Sequence, residues 1–226
     1  MTLADKNFEV IRVYRRQAPV MVLGPGRRAV VWVQGCPLGC KGCIVPESWD
    51  DGTGESVSVH DLACWVSRQP AIEGITLTGG EPMEQAGALV GLVDLLRVSD
   101  DFGVVCYTGY TLERLHHMGT KAQKALLERT DLLIDGPYIE HLHSPLLWRG
   151  SSNQRLVALT GRYRCWVPEP NSDADKFAGL QLLVDTDGSF SFVGVPPQPR
   201  FRQTFQQLML DCGVTLRHGE EDSRNT

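Results

Sequence analysis

Between residues 29 and 135 the chain alternates short apolar runs with segments of helical periodicity, an order that few architectures accept. Residues 29–33, the run Ile75-Thr76-Leu77 ending at Thr78, residues 104–107 and Leu132-Leu133-Ile134 read as strands. Ser58 with Asp61 three residues on marks a helix start, and Leu62, Trp65 and Val66 fall on one face behind it. Leu89, Leu92, Val93 and Leu96 repeat at helical spacing through residue 97, and two shorter helical segments follow at 111–117 and 120–129. Such alternation predicts a parallel sheet with right-handed crossovers. A leading strand at residues 8–14 joins it through the turn Gly24-Pro25-Gly26. With 226 residues and 42% hydrophobic content, one substantial core is expected, with room for an appendage.

Sheets of this kind bind ligands at the carboxyl ends of their strands. That rule gathers four segments on one rim: the loop after residue 33, residues 78–82, Tyr107-Thr108-Gly109 and Asp135-Gly136. The first holds Cys36, Cys40 and Cys43 in eight residues, Cys-Pro-Leu-Gly-Cys-Lys-Gly-Cys. Three soft donors at this pitch suit an iron-sulfur cluster, and with no fourth cysteine placed to complete the set, one iron would keep an open position. Structural zinc is the competing reading, but it favours paired knuckles, and the nearest candidates, His141 and His143, read as loop histidines. A Cys36–Cys43 disulfide is a third reading, disfavoured where no signal peptide is evident.

The second segment reads Thr78-Gly79-Gly80-Glu81-Pro82 and leads into a helix. Two glycines at a strand end bare the main chain to a ligand, Glu81 offers a carboxylate for an amino group, and Pro82 suits a first helical turn. By itself this is equally a plain strand-to-helix turn. Together with the upstream Cys-x3-Cys-x2-Cys it resembles the radical S-adenosylmethionine (SAM) superfamily.

That resemblance implies an α/β fold, a partial (β/α) barrel open on one side. It implies a 4Fe-4S cluster on Cys36, Cys40 and Cys43 whose fourth iron chelates SAM, and a turn at Gly79, Gly80, Glu81 and Pro82 against the methionine amino group. Reductive cleavage of SAM would give methionine and a 5'-deoxyadenosyl radical that abstracts hydrogen from a substrate.

Further motifs narrow the resemblance over about residues 30–160. Gly42 stands where many superfamily members carry an aromatic residue, and Ser48-Trp49-Asp50 follows. Then come Tyr107-Thr108-Gly109-Tyr110-Thr111-Leu112, Leu133-Ile134-Asp135-Gly136-Pro137-Tyr138 and Trp148-Arg149-Gly150-Ser151-Ser152-Asn153-Gln154-Arg155. In that order they look like the activating proteins of anaerobic ribonucleotide reductase, relatives of the pyruvate formate-lyase activating enzymes. This implies a glycyl radical enzyme as protein substrate and an electron donor such as flavodoxin or ferredoxin. Gly42, Thr78, Tyr107, Thr108 and Asp135 join the cofactor-binding candidates. Tyr107 and Thr108 could offer hydroxyls to SAM or simply end a strand. Asp135 could meet a cation, SAM or a backbone donor, or cap a turn. Asn153 and Gln154 read as loop structure, and Arg149 either docks an acidic partner or pairs within the chain.

From residue 168 the pattern changes, which divides the chain into a core at 1–167 and a small α+β appendage at 168–226. Residues 180–184 and 189–193 flank the hairpin signal Asp185-Thr186-Asp187-Gly188, residues 201–212 read as a terminal helix, and the polar tail from 219 is expected to fray. The appendage departs from the shorter activators; protecting a sheet edge, binding a partner and extending the core are its candidate tasks. Cys64 and Cys106 read as core, and Cys165 and Cys212 form no second cluster motif. A net charge of -5 gives no attraction to nucleic acid or anionic membrane. No apolar run approaches a membrane span, so a soluble cytoplasmic protein is expected. The alternatives are a radical SAM enzyme acting on a small molecule or peptide, and a non-catalytic iron-sulfur or zinc module.

Overall fold

The computed structural model describes residues 9–99, 101–169, 172–184 and 190–215. The alternating region forms the expected α/β core. It runs β1 (Val10–Val20), β2 (Arg28–Val33), β3 (Glu55–Ser58), α1 (Val59–Ser67), β4 (Gly74–Gly79), α2 (Ala86–Ser99), β5 (Gly103–Thr108), α3 (Leu112–Met118), α4 (Lys121–Leu127) and β6 (Leu132–Asp135). After it come β7 (His143–Leu146), β8 (Arg149–Ser151), β9 (Arg155–Ala158), β10 (Leu180–Val184), β11 (Phe190–Gly194) and α5 (Phe201–Asp211). Seven strands make one open sheet in the order β3-β1-β2-β4-β5-β6-β9. The β2-β4-β5-β6 centre is parallel, while β1, β3 and β9 add antiparallel margins.

Side-chain alternation explains how the sheet is covered. Val31, Val33, Ile75, Leu77, Val104, Cys106 and Leu133 point to one face and pack with Leu62, Val66, Leu89, Leu92, Val93, Leu96 and Leu126 of the helices. Val30, Trp32, Val105, Tyr107, Leu132 and Ile134 point the other way. Strands apolar on both faces require cover on both. On the second face that cover comes from the chain beyond β6: Trp148, Tyr163, Leu183, Val193 and Val195 lie against it.

Local signals hold at several boundaries. Ser58 Oγ accepts the Asp61 backbone N–H at 3.0 Å as the N-cap of α1. Thr120 and Gln123 form a reciprocal capping box on α4. Pro82 opens a 3-10 turn, Pro82–Gln85, that leads into α2.

The structure differs from expectation in three places. β1 continues to Val20, well past residue 14, because β2 offers it an antiparallel partner from Val13 to Val20; the expected start at Phe8 lies outside the described residues. β3, β7, β8 and β9 were not foreseen, since each has three or four residues and too little alternation to register. The C-terminal hairpin adds no strand to an edge of the main sheet. It is a separate two-stranded sheet on the helix-free face, where Val193 is buried against Val20, Leu23, Val30 and Trp32. Apolar residues on both surfaces make face burial the favourable arrangement. Gln181 ties it to β1, accepting from Met21 N at 3.0 Å and donating to Pro19 O at 2.9 Å, and Arg15 donates to Ser191 Oγ at 2.7 Å. The signal Asp185-Thr186-Asp187-Gly188 and the tail from residue 219 lie outside the described residues. Among the described residues no helix is long and apolar enough to cross a membrane.

Candidate active site

The four foreseen segments leave the carboxyl ends of β2, β4, β5 and β6, which the parallel register places side by side. The cysteine loop is anchored at both ends. Cys36 N donates to Trp49 O at 3.0 Å and Gly35 N to Ser48 O at 2.8 Å. Buried Gln34 donates through Nε2 to Glu47 O, Asp50 O and Thr53 Oγ1, so a single amide gathers the chain leaving the loop.

The glycines of the next segment have a packing role that their sequence context does not reveal. Gly79 sits at φ +96°, and a Cβ there would meet Trp32 Cα at 2.6 Å; one on Gly80 would meet Gly35 O at 2.3 Å. Their first task is to let β4 close against the root of the cysteine loop. Gly80 N donates to Val33 O and Glu81 N to Gly35 O, both at 2.8 Å. Thr78, half-buried, pairs with Trp32 immediately below.

Glu81 is 1% exposed, and both of its oxygens are engaged. Oε1 accepts from Met83 N at 3.0 Å and Thr108 Oγ1 at 2.8 Å, and Oε2 accepts from Gly109 N at 2.8 Å. Burial pushes its pKa up to about 7, against these three donors, which favour the carboxylate. Asp135, also 1% exposed, accepts from Leu112 N at 2.8 Å and from Arg155 Nε at 2.9 Å, with Arg155 Nη2 on its second oxygen. Arg155 in turn spans to Glu113, whose pKa its hydrogen bond lowers to about 2. Both buried carboxylates thus lock neighbouring loops together. Arg155 was not foreseen in this role; an arginine inside the Ser-Ser-Asn-Gln-Arg motif was its only signal.

Tyr107 is different. It points with Val105 to the helix-free face, and its hydroxyl is buried with no hydrogen-bond partner among the described residues. Such an atom is costly unless something outside the chain meets it. Burial raises its pKa far above the ordinary tyrosine value, keeping it protonated and able to donate.

Cys36, Cys40 and Cys43 are unbridged and half-buried. Burial raises the Cys36 and Cys40 thiols, and the nearby Cys43 adds to the effect at Cys40. Among the described residues no three His, Cys, Asp or Glu side chains stand close enough to chelate an ion. The thiols are therefore neighbours on one loop and not a closed ligand set. Their chemistry fits a cluster: three soft donors with their sulfurs partly open, whose protons a metal would displace. Gly42 lies between them against Tyr138 and Glu140, and Glu140 pairs with Lys41 at 3.2 Å.

The other sequence candidates fall outside this group. Gln154 accepts from Gly150 N and Ser151 N and donates to Gly136 O, and Asn153 donates to Pro137 O, so both shape the loop. Arg149 pairs with Asp175. Cys106 is core, whereas Cys64 is only half-buried, and Cys165 and Cys212 are exposed.

Residues 22–157, which hold the cysteine loop and the Gly-Gly-Glu turn, match the model of the 4Fe-4S single cluster domain; the chain belongs to that family and is a radical SAM enzyme. Among its relatives, the anaerobic ribonucleoside-triphosphate reductase-activating protein of Enterobacteria phage T4 is 36% identical over 147 residues, covering 62% of this chain and 88% of that protein. The protein of the same name from Vibrio cholerae is 35% identical over 156 residues, covering 65% of this chain and 98% of that one. The crystal structure of QueE from Escherichia coli aligns with a TM-score of 0.46 at 19% identity, over 60% of this chain and 74% of that one.

Proposed function

We propose that this chain installs a glycyl radical on an anaerobic ribonucleotide reductase, taking hydrogen from a glycine Cα–H of that partner. The observation that carries the reading is the cysteine loop itself: three half-exposed thiols stitched through Gly35 to the 79–81 turn, within a segment alignable to nearly the whole of a reductase-activating protein. Cys36, Cys40 and Cys43 would hold the cluster. The main chain at Gly79 and Gly80, with the Tyr107 hydroxyl, would face SAM. Glu81, Thr108, Pro82 and Asp135 hold those groups in place, and Gly42 keeps the loop low against Tyr138. Bound there, the cluster and SAM supply one-electron reduction and a hydrogen-abstracting radical. The protein's own part is to orient the sulfonium and exclude water. A flavodoxin or ferredoxin would supply the electron.

The test is anaerobic reconstitution with iron and sulfide, reduction, and addition of SAM, with and without a reductase bearing a glycyl radical segment. 5'-Deoxyadenosine from the wild type, none from the triple cysteine-to-alanine variant, and a glycyl EPR doublet on the partner are expected. Cleavage that leaves the partner without a radical would remove the activator reading. One observation favours a second reading, an enzyme acting on a small molecule or peptide: the C-terminal hairpin covers part of the helix-free face. Cleavage stimulated by a small substrate and not by the reductase would select it.

A further inference from the structure

Three successive carbonyls at the root of the cysteine loop are met by one short segment, residues 80–85. Val33 O accepts from Gly80 N and Gly35 O from Glu81 N, both at 2.8 Å. The carbonyl between them, Gln34 O, accepts from Gln85 Nε2 at 2.9 Å. The same side-chain amide takes both main-chain groups of Arg12 on β1: Nε2 donates to Arg12 O at 3.0 Å, and Oε1 accepts from Arg12 N at 2.8 Å. Both hydrogens of the amide are thereby committed.

This arrangement falls where the β1–β2 ladder stops. Its last pair is Val13 with Val33, and Gln34 N still donates to Arg12 O at 2.9 Å. A further antiparallel rung would send the Arg12 N–H to Gln34 O. Gln85 stands between that donor and that acceptor instead, so the rung is relayed through a side chain and the chain bends at Gln34, one residue after β2 ends. An apolar side chain at this place would strand the Arg12 N–H and the Gln34 carbonyl.

We propose that Gln85 is a positioning residue for the SAM site: by replacing a strand rung it fixes the angle at which the cysteine loop leaves β2 and holds that loop in register with the main chain at Gly79 and Gly80. Gln34 completes the device, because its own amide gathers Glu47 O, Asp50 O and Thr53 Oγ1 on the far side of the loop. Turn and loop are aligned before any ligand arrives, and such alignment lowers the cost of binding. The inference rests on the reading that the cysteine loop holds the cluster and that the main chain at Gly79 and Gly80 faces SAM.

The experiment compares the full chain with Gln85→Met, which keeps the length and loses all three bonds, and Gln85→Asn, which keeps the amide and shortens its reach. Arg129→Ala, which breaks an ion pair with Asp94 of α2, is the control for lost stability. Hydrogen exchange of the apoprotein is read at the Gly80 and Glu81 amides. Both Gln85 variants are expected to speed it several-fold beyond what their global stability accounts for, and Arg129→Ala should not. SAM is then titrated onto cluster-loaded, oxidised protein at equal iron per chain. Its dissociation constant should rise about tenfold in the Gln85 variants and stay at the wild-type value in the control. Exchange at Gly80 and Glu81 no faster than in the control, or unchanged SAM affinity at equal iron, would overturn the proposal. Should Gln85→Met fail to fold, Gln85→Asn carries the same two readings. A wild type that binds no SAM would refute the cofactor reading instead, and exchange at the two amides would still judge Gln85.

Discussion

At the amino ends of the parallel strands Arg28 is fully buried yet engaged through all three guanidinium nitrogens, whereas at the carboxyl ends three thiols stand half-exposed and the Tyr107 hydroxyl is buried without a partner among the described residues. Arg28 donates to Thr76 Oγ1 at 3.1 Å, to Tyr163 Oη at 2.7 Å, to Gly103 O at 2.9 Å, and to the carbonyls of Pro25 and Ile75. Nearby Asp131 accepts from Arg97, Val104 N and Thr160, each at 2.8 Å. One end is a sealed polar layer, where burial lowers the Arg28 pKa but its neighbours leave no donor unmet. The other is sealed only beneath, by Glu81 and Asp135, and left open above. Buried polar groups are normally satisfied, which leaves the Tyr107 hydroxyl, at the carboxyl end, open to a ligand.

Substitutions can break that contrast. The largest effect is expected from Cys36, Cys40 and Cys43→Ala together: iron binding and SAM cleavage vanish while circular dichroism and the thermal midpoint stay close to wild type. A collapse of the fold would mean that the open end is structural after all. Arg28→Ala should do the reverse, costing roughly 3–5 kcal/mol in denaturant unfolding through a cavity and several stranded carbonyls. A loss below about 1 kcal/mol would show that the layer is not sealed as described. Arg155→Ala leaves Asp135 buried without its cation and should cost about 3 kcal/mol, with faster hydrogen exchange at the start of α3.

Glu81 sharpens the comparison through pH. Its folded value of about 7 lies above the ordinary 4.5, so the folded state holds the proton more tightly and stability contributed by this group falls as pH rises from about 4.5 to about 7. Measured against Glu81→Gln, which does not titrate, wild type should lose on the order of 3 kcal/mol over that window, and parallel curves would show that burial does not govern this carboxylate. The smallest effect belongs to Arg202→Ala. That residue meets Glu47 Oε1 at 2.6 Å and Ile44 O at 3.3 Å across the flank of the cysteine loop, and a half-exposed pair of this kind contributes under about 1 kcal/mol. Local exchange at residues 44–47 should respond more than global stability.

The positions of the rim segments were legible because they follow from strand order and the carboxyl-end rule, which need only periodicity. The commitments of Glu81 and Asp135 were not. A carboxylate beside two glycines reads as a free ligand until Gly109, 28 residues on, donates its N–H to it, and Asp135 acquires its cation from a strand too short to register. Sequence likewise suggests that Gly79 and Gly80 bare the backbone, but it cannot show that the nearest surface is Trp32 and Gly35. His143 was read as a loop residue because the Tyr138 hydroxyl that meets it depends on the unforeseen β7–β8 hairpin.

The family match ends at Val157, inside β9, the last strand to join the main sheet, and the hairpin and α5 come afterwards. On a ribosome that order becomes a schedule. With synthesis at about 5–20 residues per second, the 53 residues between Ala158 and Asp211 take on the order of several seconds to appear. During that interval every strand of the main sheet and the cysteine loop have been synthesised, and Arg202 has yet to reach Glu47. Until then the flank of the cysteine loop at Ile44 and Glu47 lacks the arginine that later ties it to α5.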